Sequence, residues 1–253
     1  MFNRILSALG KEDLTPLLSP SFEACELSAR QQLDAPNRQI SHVYFIETGI
    51  AAVFSTSKEN SIAVGLIGCE GVSAISVILG DDRSPYSTVM LCDGTALRIS
   101  VDALLQEMAA RPQLNRLLLR YVIAFNNQMS HNALANVFGL MEQRVARFLL
   151  MAHDRLAADT IPITQQQIAD VIGIWRPRVT TALNQLARLG MIEVERGLVR
   201  VLDRKAIEKL AGTFYGLAEK EYVRTLGITP SDWAGSPQTE TLLARSRAAP
   251  TRL

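Results

Sequence analysis

The segment from Ile163 to Ile192, ITQQQIADVIGIWRPRVTTALNQLARLGMI, constrains the fold more than any other part of the chain. Thr164 and Gln167 have the spacing of a capping box, so a helix is expected to begin at Thr164. Its apolar stripe consists of Ile168, Val171 and Ile172. Gly173 follows, where a sharp turn needs a residue that tolerates a positive φ. The pattern therefore predicts a helix of roughly two turns that ends in a tight turn.

A second helix is predicted after this turn, because Pro177 is tolerated only in the first turn of a helix. Gly190 is placed to end it. The side expected to be buried carries Val179, Leu183 and Leu186, and the opposite side carries Arg178, Thr181, Gln185 and Arg188. Two short helices joined at a tight glycine turn are typical of a helix-turn-helix motif, whose second helix enters the major groove of DNA. A packed helical hairpin with a solvated outer face is the alternative interpretation.

The flanking sequence completes this unit. Downstream, apolar and polar residues alternate on both sides of Glu195-Arg196-Gly197, which predicts a β-hairpin. A hairpin directly after the second helix is the wing of a winged helix-turn-helix, and Arg196 and Arg200 are then expected near a phosphate backbone. Upstream, a helix is predicted with the apolar stripe Val145, Phe148, Leu149, Ala152 and Leu156. Together these features predict one compact unit from about Glu142 to Leu210.

The charge distribution and the length of the chain predict a second domain N-terminal to this unit. Residues 144–212 contain 11 Lys and Arg against 7 Asp and Glu, whereas residues 1–143 contain 10 against 14. This polarity is typical of a protein that contacts DNA at one end, while the whole chain has a net charge of only +1. A length of 253 residues, 48% of them hydrophobic, predicts about two domains.

The sequence indicates a cytoplasmic protein without a membrane partner. No apolar run approaches the ~20 residues that span a bilayer. The N-terminal stretch MFNRILSALGKEDL is interpreted as a short amphipathic helix and not as a signal peptide, because glycine and charged residues interrupt it. Cys25, Cys69 and Cys92 are scattered, which favours buried free thiols over a disulfide framework, a metal site or an iron–sulfur cluster.

The region between about Ser28 and Ile99 is typical of short strands. β-branched and aromatic residues recur, separated by turn residues, in the stretches HVYFIETGIAAVFST, SIAVGLIG, YSTVML and GTALRIS. Several short strands punctuated in this way predict a small antiparallel barrel or jelly roll.

A long helix is predicted next, with Pro112 in its first turn and no further proline or glycine before Gly139. Such a helix would be about 40 Å long at 1.5 Å per residue. Along it, residues spaced alternately four and three apart form the repeat of a coiled-coil seam: Leu114, Leu118, Tyr121, Phe125, Gln128, Asn132 and Ala135. We interpret the repeat as a dimer contact. A helix packed on its own barrel would show the same repeat over this length.

The sequence carries no motif expected of an enzyme. It has no Gly-x-Ser-x-Gly segment, no metal-spaced histidines and no glycine loop that would cradle a phosphate. The alternative function is a dimeric ligand-sensing module that does not bind DNA, because Trp175 and Pro177 are unusual at the start of a DNA-reading helix.

The order of barrel, long helix and winged helix-turn-helix resembles the Crp/Fnr family of bacterial transcription regulators, over about residues 6–210. The most specific matches are HVYFIETGIA, EQRVARFLLMAHDRL and the helix-turn-helix segment. The resemblance implies a homodimer that binds a two-fold-related site on double-stranded DNA, with half-sites about one helical turn apart. RNA polymerase is a further candidate partner. An event in the barrel would reposition the DNA-binding helices through the long helix.

The resulting fold class is α+β. We predict an N-terminal antiparallel β-roll or jelly-roll barrel over residues 1–110 and a long dimerisation helix over 111–140. A winged helix-turn-helix follows over 141–212, and then a C-terminal helix and a disordered tail over 213–253.

The resemblance also implies roles for individual residues at the DNA. Arg176 stands where the family has a base-reading arginine, whereas Pro177 replaces the glutamate of many members and Trp175 replaces a small capping residue. The target sequence is therefore expected to differ from that of the glutamate-bearing members. The base-reading candidates are Arg176, Arg178 and Thr181. The phosphate-binding candidates are Thr164, Gln165, Gln185, Arg188 and Arg196.

The effector is less well defined by the sequence. Members that bind cyclic nucleotides use a Gly-Glu pair at the ribose and an Arg-Ser or Arg-Thr pair at the phosphate. The candidates here are Glu70, Gly71, Arg83, Ser84, Gln128 and Asn132. The match is partial, because Gly71 follows its glutamate and Arg83 also fits a solvated loop charge beside Asp81 and Asp82. The effector could be a cyclic nucleotide or another organic molecule, or the protein could have no effector. The sequence requires no cofactor, haem or metal.

Overall fold

The computed structural model describes residues 3–9, 21–156 and 158–229. The N-terminal unit is a β-roll of two antiparallel sheets. Its strands are β1 (Glu23–Leu27), β2 (Gln32–Asp34), β3 (His42–Thr48), β4 (Ala51–Thr56), β5 (Ser61–Ile67), β6 (Ser87–Met90) and β7 (Gly94–Ser100). One sheet has the order β1-β7-β3 and the other the order β2-β6-β4-β5. The predicted strands from β3 to β7 are thus confirmed, whereas β1 and β2 lie outside the predicted stretches.

Both sheets contribute to one hydrophobic core. Phe45 of β3, Ile67 of β5 and Met90 of β6 are buried in it. The short helix α1 (Arg4–Ser7) adds Ile5 and Leu6 to the same core, which confirms a helix in the N-terminal stretch. Residues 10–14 of that stretch lie outside the described residues.

Three helices follow within or after the roll: α2 (Ile75–Ile78), α3 (Val101–Ala110) and the long α4 (Pro112–Phe138). The sequence did not predict α3, which begins where the Ser100 hydroxyl accepts a hydrogen bond from the Ala103 N–H (3.3 Å). The bounds of α4 are as predicted, with a proline in the first turn and Gly139 directly after the last residue.

The predicted seam of α4 faces its own barrel. Four of its residues are fully buried within the chain: Leu114, Leu118, Tyr121 and Phe125. The Tyr121 hydroxyl donates to the Val72 carbonyl (3.1 Å), and the Phe125 ring fills the space over Gly65, where a β-carbon would lie 2.5 Å from the ring. The interpretation of this stripe as a dimer contact is therefore wrong, because its side chains already pack in the intramolecular core. The alternative, a helix packed on its own barrel, is confirmed.

The C-terminal unit has the predicted winged helix-turn-helix arrangement. Its elements are α5 (Met141–Arg155), β8 (Thr160–Ile161), α6 (Gln165–Ile172), α7 (Arg176–Arg188), β9 (Ile192–Glu195), β10 (Leu198–Val201) and α8 (Arg204–Ala211). The three short strands form an antiparallel sheet of order β8-β10-β9. The predicted stripe of α5 is buried in a second hydrophobic core, together with the inner faces of α6 and α7.

The chain then returns to the first core. A short 3-10 turn (Gly212–Phe214) leads into α9 (Leu217–Leu226), which packs along α4. Tyr222 is buried, and its ring centroid lies 6.4 Å from that of Tyr121. The predicted disordered tail lies, from residue 230 onward, outside the described residues. Within the described ranges, no helix is both long enough and apolar enough to cross a membrane.

Candidate nucleic-acid interface

The helix-turn-helix forms locally as the sequence predicts. The Thr164 hydroxyl accepts a hydrogen bond from the Gln167 N–H (3.2 Å), and the Gln167 Oε1 accepts one from the Thr164 N–H (2.9 Å). Gly173 ends α6 with a φ of +70°, a conformation that favours glycine. The Thr180 hydroxyl donates to Gln165 Oε1 (2.6 Å), which joins the two helices. The relative placement of α6 and α7 is thus fixed by side-chain bonds as well as by the turn.

One side of α7 is buried and the other is open to solvent. The buried side consists of Val179, Leu183 and Leu186, as predicted. The exposed residues of the open side are Arg176, Arg178, Thr181, Asn184, Gln185 and Arg188. No acidic residue occurs between Val171 and Ile192, so the charges that this helix contributes are all positive. The open side is therefore suited to an anionic partner.

The side chains on this open side have the hydrogen-bonding groups that base recognition uses. Arginine donates two hydrogen bonds to guanine, and glutamine or asparagine makes two hydrogen bonds with the major-groove edge of adenine. Asn184 was not among the sequence candidates, yet it borders the same open concavity as Thr181 and Arg188. Its position three residues after Thr181 on a helix was the signal that could have identified it.

The first turn of α7 carries an exposed tryptophan. Trp175 is the N-cap residue, makes no side-chain capping bond and is 76% exposed. It replaces the capping hydroxyl or amide that usually stands at such a position. An apolar ring is thus presented directly beside the exposed guanidinium group of Arg176.

The wing carries a further exposed arginine. Arg196 is exposed in the turn between β9 and β10. Arg200 lies 3.8 Å from Glu193 and 3.9 Å from Glu195, so its charge is partly compensated within the hairpin. Arg196 is accordingly the better candidate of the two for a phosphate contact.

Thr164 and Gln165 have less freedom than the sequence suggested. Both are half-buried, and their side chains already bond Gln167 and Thr180. They lie at the N-terminus of α6, where backbone N–H groups and the positive end of the helix dipole attract anions.

The helix-turn-helix is docked on the β-roll. The Gln167 amide donates to the Leu91 carbonyl (2.6 Å), and a β-carbon on Gly173 would lie 2.9 Å from the Ile62 side chain of β5. Barrel residues Ile50 and Leu66 are part of the same core as α6 and α7. The position of the helix-turn-helix therefore depends on contacts with the N-terminal unit.

A buried ion pair also links the two units. Glu70, which follows β5, is fully buried, and its carboxylate lies 2.7 Å from the guanidinium group of Arg155 in α5. Burial raises the pKa of Glu70, and the charge of Arg155 opposes that rise. The Glu70 carboxylate also accepts from the Gly68 N–H (3.1 Å). Glu70, which was predicted to bind an effector, is thus paired with an arginine of the C-terminal unit.

The other β-roll residues predicted to bind the effector each make contacts of their own within the chain. A β-carbon added to Gly71 would lie 2.7 Å from the Tyr121 hydroxyl, so the Gly71 backbone is closely covered. The Arg83 side chain is 63% exposed and lies 3.8 Å from the Asp82 carboxylate. The Ser84 hydroxyl accepts from the Tyr86 N–H (3.1 Å). This arrangement differs from the predicted pocket, because Glu70 is paired with Arg155 instead of lying beside Arg83.

The two polar residues of the α4 stripe bond the barrel backbone. The Gln128 amide accepts from the Leu66 N–H (2.7 Å) and donates to the Tyr222 hydroxyl (3.1 Å). Asn132 donates to the Val64 carbonyl (2.7 Å) and accepts from the Arg147 guanidinium group (2.7 Å). Both side chains therefore connect α4 to β5 and to the C-terminal elements. The sequence could not predict this role, because the partners are distant along the chain.

An exposed cationic α7, a wing and a β-roll joined to them through a long helix define a two-domain protein of the winged helix-turn-helix class. Residues 143–210 match the Crp-like helix-turn-helix domain family. A CRP-like cAMP-activated global transcriptional regulator from Mycobacterium tuberculosis is 30% identical over 133 residues, which cover 49% of this chain and 59% of that protein. The match thus spans under two thirds of that relative's length.

Solved structures share the whole architecture. A CRP-family transcriptional regulator from Thermus thermophilus superposes with a TM-score of 0.64 at 17% identity, covering 75% of this chain and 97% of that one. FixK2 from Bradyrhizobium japonicum superposes with a TM-score of 0.64 at 15% identity, covering 76% and 98%. The chain thus carries a Crp-like helix-turn-helix domain and has the fold of the Crp/Fnr transcription regulators, which confirms the resemblance found in its motifs.

Proposed function

We propose that this protein is a sequence-specific transcription regulator that binds double-stranded DNA as a homodimer. The observation that carries the proposal is the open side of α7, which presents Arg176, Arg178 and Arg188 without a nearby acidic residue on the same helix. DNA carries about one negative charge per 1.7 Å of its axis, so such a surface binds it favourably. The match of residues 143–210 to the Crp-like helix-turn-helix domain family supports the same conclusion.

We assign two kinds of contact to this surface. Arg176, Arg178 and Thr181 lie in the first half of α7 and are proposed to read base edges in the major groove. The proposed phosphate-contacting residues are Gln185, Arg188, Arg196 and, at the N-terminus of α6, Thr164 and Gln165. By its resemblance to the family, Pro177 stands where many Crp/Fnr regulators carry a glutamate. The preferred DNA sequence is therefore expected to differ from theirs.

We propose that the homodimer forms through the outward side of α4. The exposed apolar residues on that side are Leu119, Ile123, Leu134, Val137 and Phe138. This stripe begins five positions after Leu114, the start of the buried stripe, and so lies about 140° around the helix from it at 100° per residue. Apolar side chains grouped on one exposed face indicate a protein contact. A two-fold axis would place this stripe against its copy and leave both α7 helices free for DNA.

The DNA proposal is tested by selecting fragments that the full chain retains from a bacterial genomic library, and then measuring affinity for the recovered site. Arg176→Ala is expected to weaken binding to that site by about 1–3 kcal/mol, the usual cost of a lost bidentate base contact. It should leave the thermal unfolding temperature unchanged, because Arg176 is exposed. Affinity should also fall steeply with salt concentration.

Arg38→Ala is the matched control, because Arg38 is an exposed arginine of the β-roll. It should bind DNA as the wild type does. Equal affinity of the Arg176→Ala and wild-type proteins would contradict the assignment of Arg176. Recovery of no DNA fragment above background would contradict DNA binding and favour a dimeric sensing module instead.

A further inference from the structure

A small cleft lies at the junction of β5, α4, α5 and α6. Its apolar floor includes Leu66, Phe148 and Met151. Its polar groups come from two arginines and two asparagines, and among the described residues its lining includes no aspartate or glutamate. Ligand sites in proteins commonly combine an apolar lining with a few convergent polar groups at a boundary between domains.

Arg144 contributes an incompletely satisfied guanidinium group to this cleft. Its Nη2 donates to the Ile172 carbonyl at the end of α6 (2.7 Å), whereas its Nε is buried without a hydrogen-bond partner in the part of the chain that the structure describes. Burial lowers the pKa of Arg144, and the positive charge of Arg178 lowers it further. An anion at this point would satisfy the free N–H group and offset both effects.

Arg147 adds a second positive charge to the same lining. It is 3% exposed, and it donates to the side-chain oxygen Oδ1 of Asn132 (2.7 Å) and to the backbone carbonyl of Phe214. Burial lowers the pKa of Arg147, with Glu219 as the opposing charge. Over residues 3–9, 21–156 and 158–229, none of the ion pairs within 4.0 Å involves Arg144 or Arg147. A buried cation without a close counter-ion is unfavourable, so an anion would be attracted to this position.

The size of the cleft restricts the ligand. The cleft has a volume of about 40 Å³. One water molecule needs about 10–15 Å³ by the same measure, so the cleft holds a group of about three heavy atoms. A carboxylate, with three heavy atoms, is of this size. A phosphate group has four or five heavy atoms and would extend into the open mouth, and a whole nucleotide is far larger. Any remaining part of a ligand would lie in the open mouth, against the apolar lining.

We propose that this cleft binds the anionic head group, a carboxylate or a phosphate, of a small organic molecule through Arg144 and Arg147. The site differs from the one that the family resemblance implies, because it uses neither Glu70 nor Arg83. Arg144 also holds the last turn of α6 through Ile172, so a ligand that engages Arg144 changes a contact of the DNA-binding motif. This regulatory consequence rests on the proposed DNA-binding function, whereas binding of the anion does not.

Anion binding is tested on the full chain by thermal unfolding in sodium phosphate, sodium benzoate or sodium chloride at equal ionic strength. A ligand that binds only the folded state raises the unfolding temperature, and the rise saturates as the site fills. We expect a saturating rise of several degrees with phosphate or with benzoate over chloride. The salt that produces it identifies the preferred head group. Phosphate also stabilises proteins without binding, by exclusion from their surface, but that effect does not saturate.

Arg144→Gln is the decisive variant, because Arg144 is only half-buried and makes one hydrogen bond through its side chain to the backbone. It is expected to unfold cooperatively and to lose the saturating rise. Arg38→Gln removes an exposed arginine elsewhere and should keep it. An equal saturating rise in Arg144→Gln and wild type would overturn the proposal, as would a wild type whose unfolding temperature shows no saturating rise with either anion.

The regulatory role is tested by measuring affinity for the selected DNA site with and without the anion that raises the unfolding temperature, again at equal ionic strength. We expect at least a fivefold change in wild type and none in Arg144→Gln. An unchanged wild-type affinity would overturn the regulatory role of the cleft. Because the unfolding measurement contains no DNA, failure of anion binding and failure of DNA binding are distinguishable.

Discussion

The carboxyl group of Asp34 shows how a single buried side chain makes stability depend on pH. Asp34 ends β2 and is 4% exposed. Burial raises its pKa from 3.8 to about 6, while contacts with Thr88 and the backbone of Ala74 lower it by less. Between these two pH values the folded chain binds more protons than the unfolded chain. The stabilisation is therefore complete below about pH 4 and is lost as the pH rises through about 6.

Asp34→Asn is expected to remove this pH dependence, because the amide has nearly the same shape and does not ionise. The free energy of unfolding of the wild type, relative to the variant, should fall by up to about 3 kcal/mol between about pH 4 and about pH 7.5. Urea unfolding of both proteins at the two pH values measures the difference. Glu26→Gln, at an exposed carboxylate of β1, should leave the wild-type dependence in place. A constant difference between wild type and Asp34→Asn would contradict the raised pKa.

At the residue scale, the sequence predicted residues whose roles are local and missed those whose roles depend on distant partners. The capping box of Thr164 and the positive φ of Gly173 follow from neighbours along the chain, and both predictions are confirmed. The partner of Glu70 is Arg155, which belongs to the other unit. No local pattern indicates which arginine reaches a given carboxylate, so the ion pair could not be predicted.

The long helix α4 illustrates what periodicity does and does not determine for an element. Its bounds followed from Pro112 and Gly139, because proline and glycine act on the backbone directly. Its orientation did not follow, because α4 carries two apolar stripes, one that begins at Leu114 and one that begins at Leu119. The first is buried in the chain, and the second is exposed. A period shows that a face is apolar, but it does not show which protein surface covers that face.

Helix α9 was predicted only as a C-terminal helix, yet it is anchored in the N-terminal core. Tyr222 is buried between α9 and α4, and its hydroxyl accepts a hydrogen bond from the Gln128 amide (3.1 Å). Leu226 and Ile228 belong to the same core. The stretch after the wing therefore ties the C-terminal unit to α4.

Tyr222→Ala is expected to lower the free energy of unfolding by about 3–5 kcal/mol, because it leaves a cavity between two helices. Tyr222→Phe should cost only about 1–3 kcal/mol, since it keeps the ring and leaves one N–H of Gln128 unpaired. Val223→Ala, at a 40% exposed position of the same helix, should change stability by no more than about 0.5 kcal/mol. Urea unfolding measures all three. Equal stabilities of Tyr222→Ala and Val223→Ala would show that α9 is not anchored through Tyr222.

For the whole molecule, the proposed function requires two chains that are related by a two-fold axis. A two-fold dimer presents two α7 helices, and half-sites one helical turn apart require them to be about 34 Å from each other. The outward stripe runs from Leu119 to Phe138, about 30 Å along α4 at 1.5 Å per residue, so a copy packed against it would contact most of the length of the helix. Because the inner stripe is buried in the chain, dimerisation through the outward stripe would leave both cores undisturbed.

Ile123→Glu is expected to convert the dimer into a monomer, because it places a charge within the outward stripe. Ile123 is 52% exposed, so the variant should keep the circular dichroism and unfolding temperature of the wild type. Sedimentation equilibrium should give about twice 27.8 kDa for wild type and 27.8 kDa for the variant. Leu79→Glu, at an exposed leucine of the β-roll, should stay dimeric.

The monomer should also lose most of its affinity for the two-fold DNA site, because each half-site is then bound independently. A wild-type mass of 27.8 kDa would contradict the homodimer, and a dimeric Ile123→Glu would place the contact on another surface.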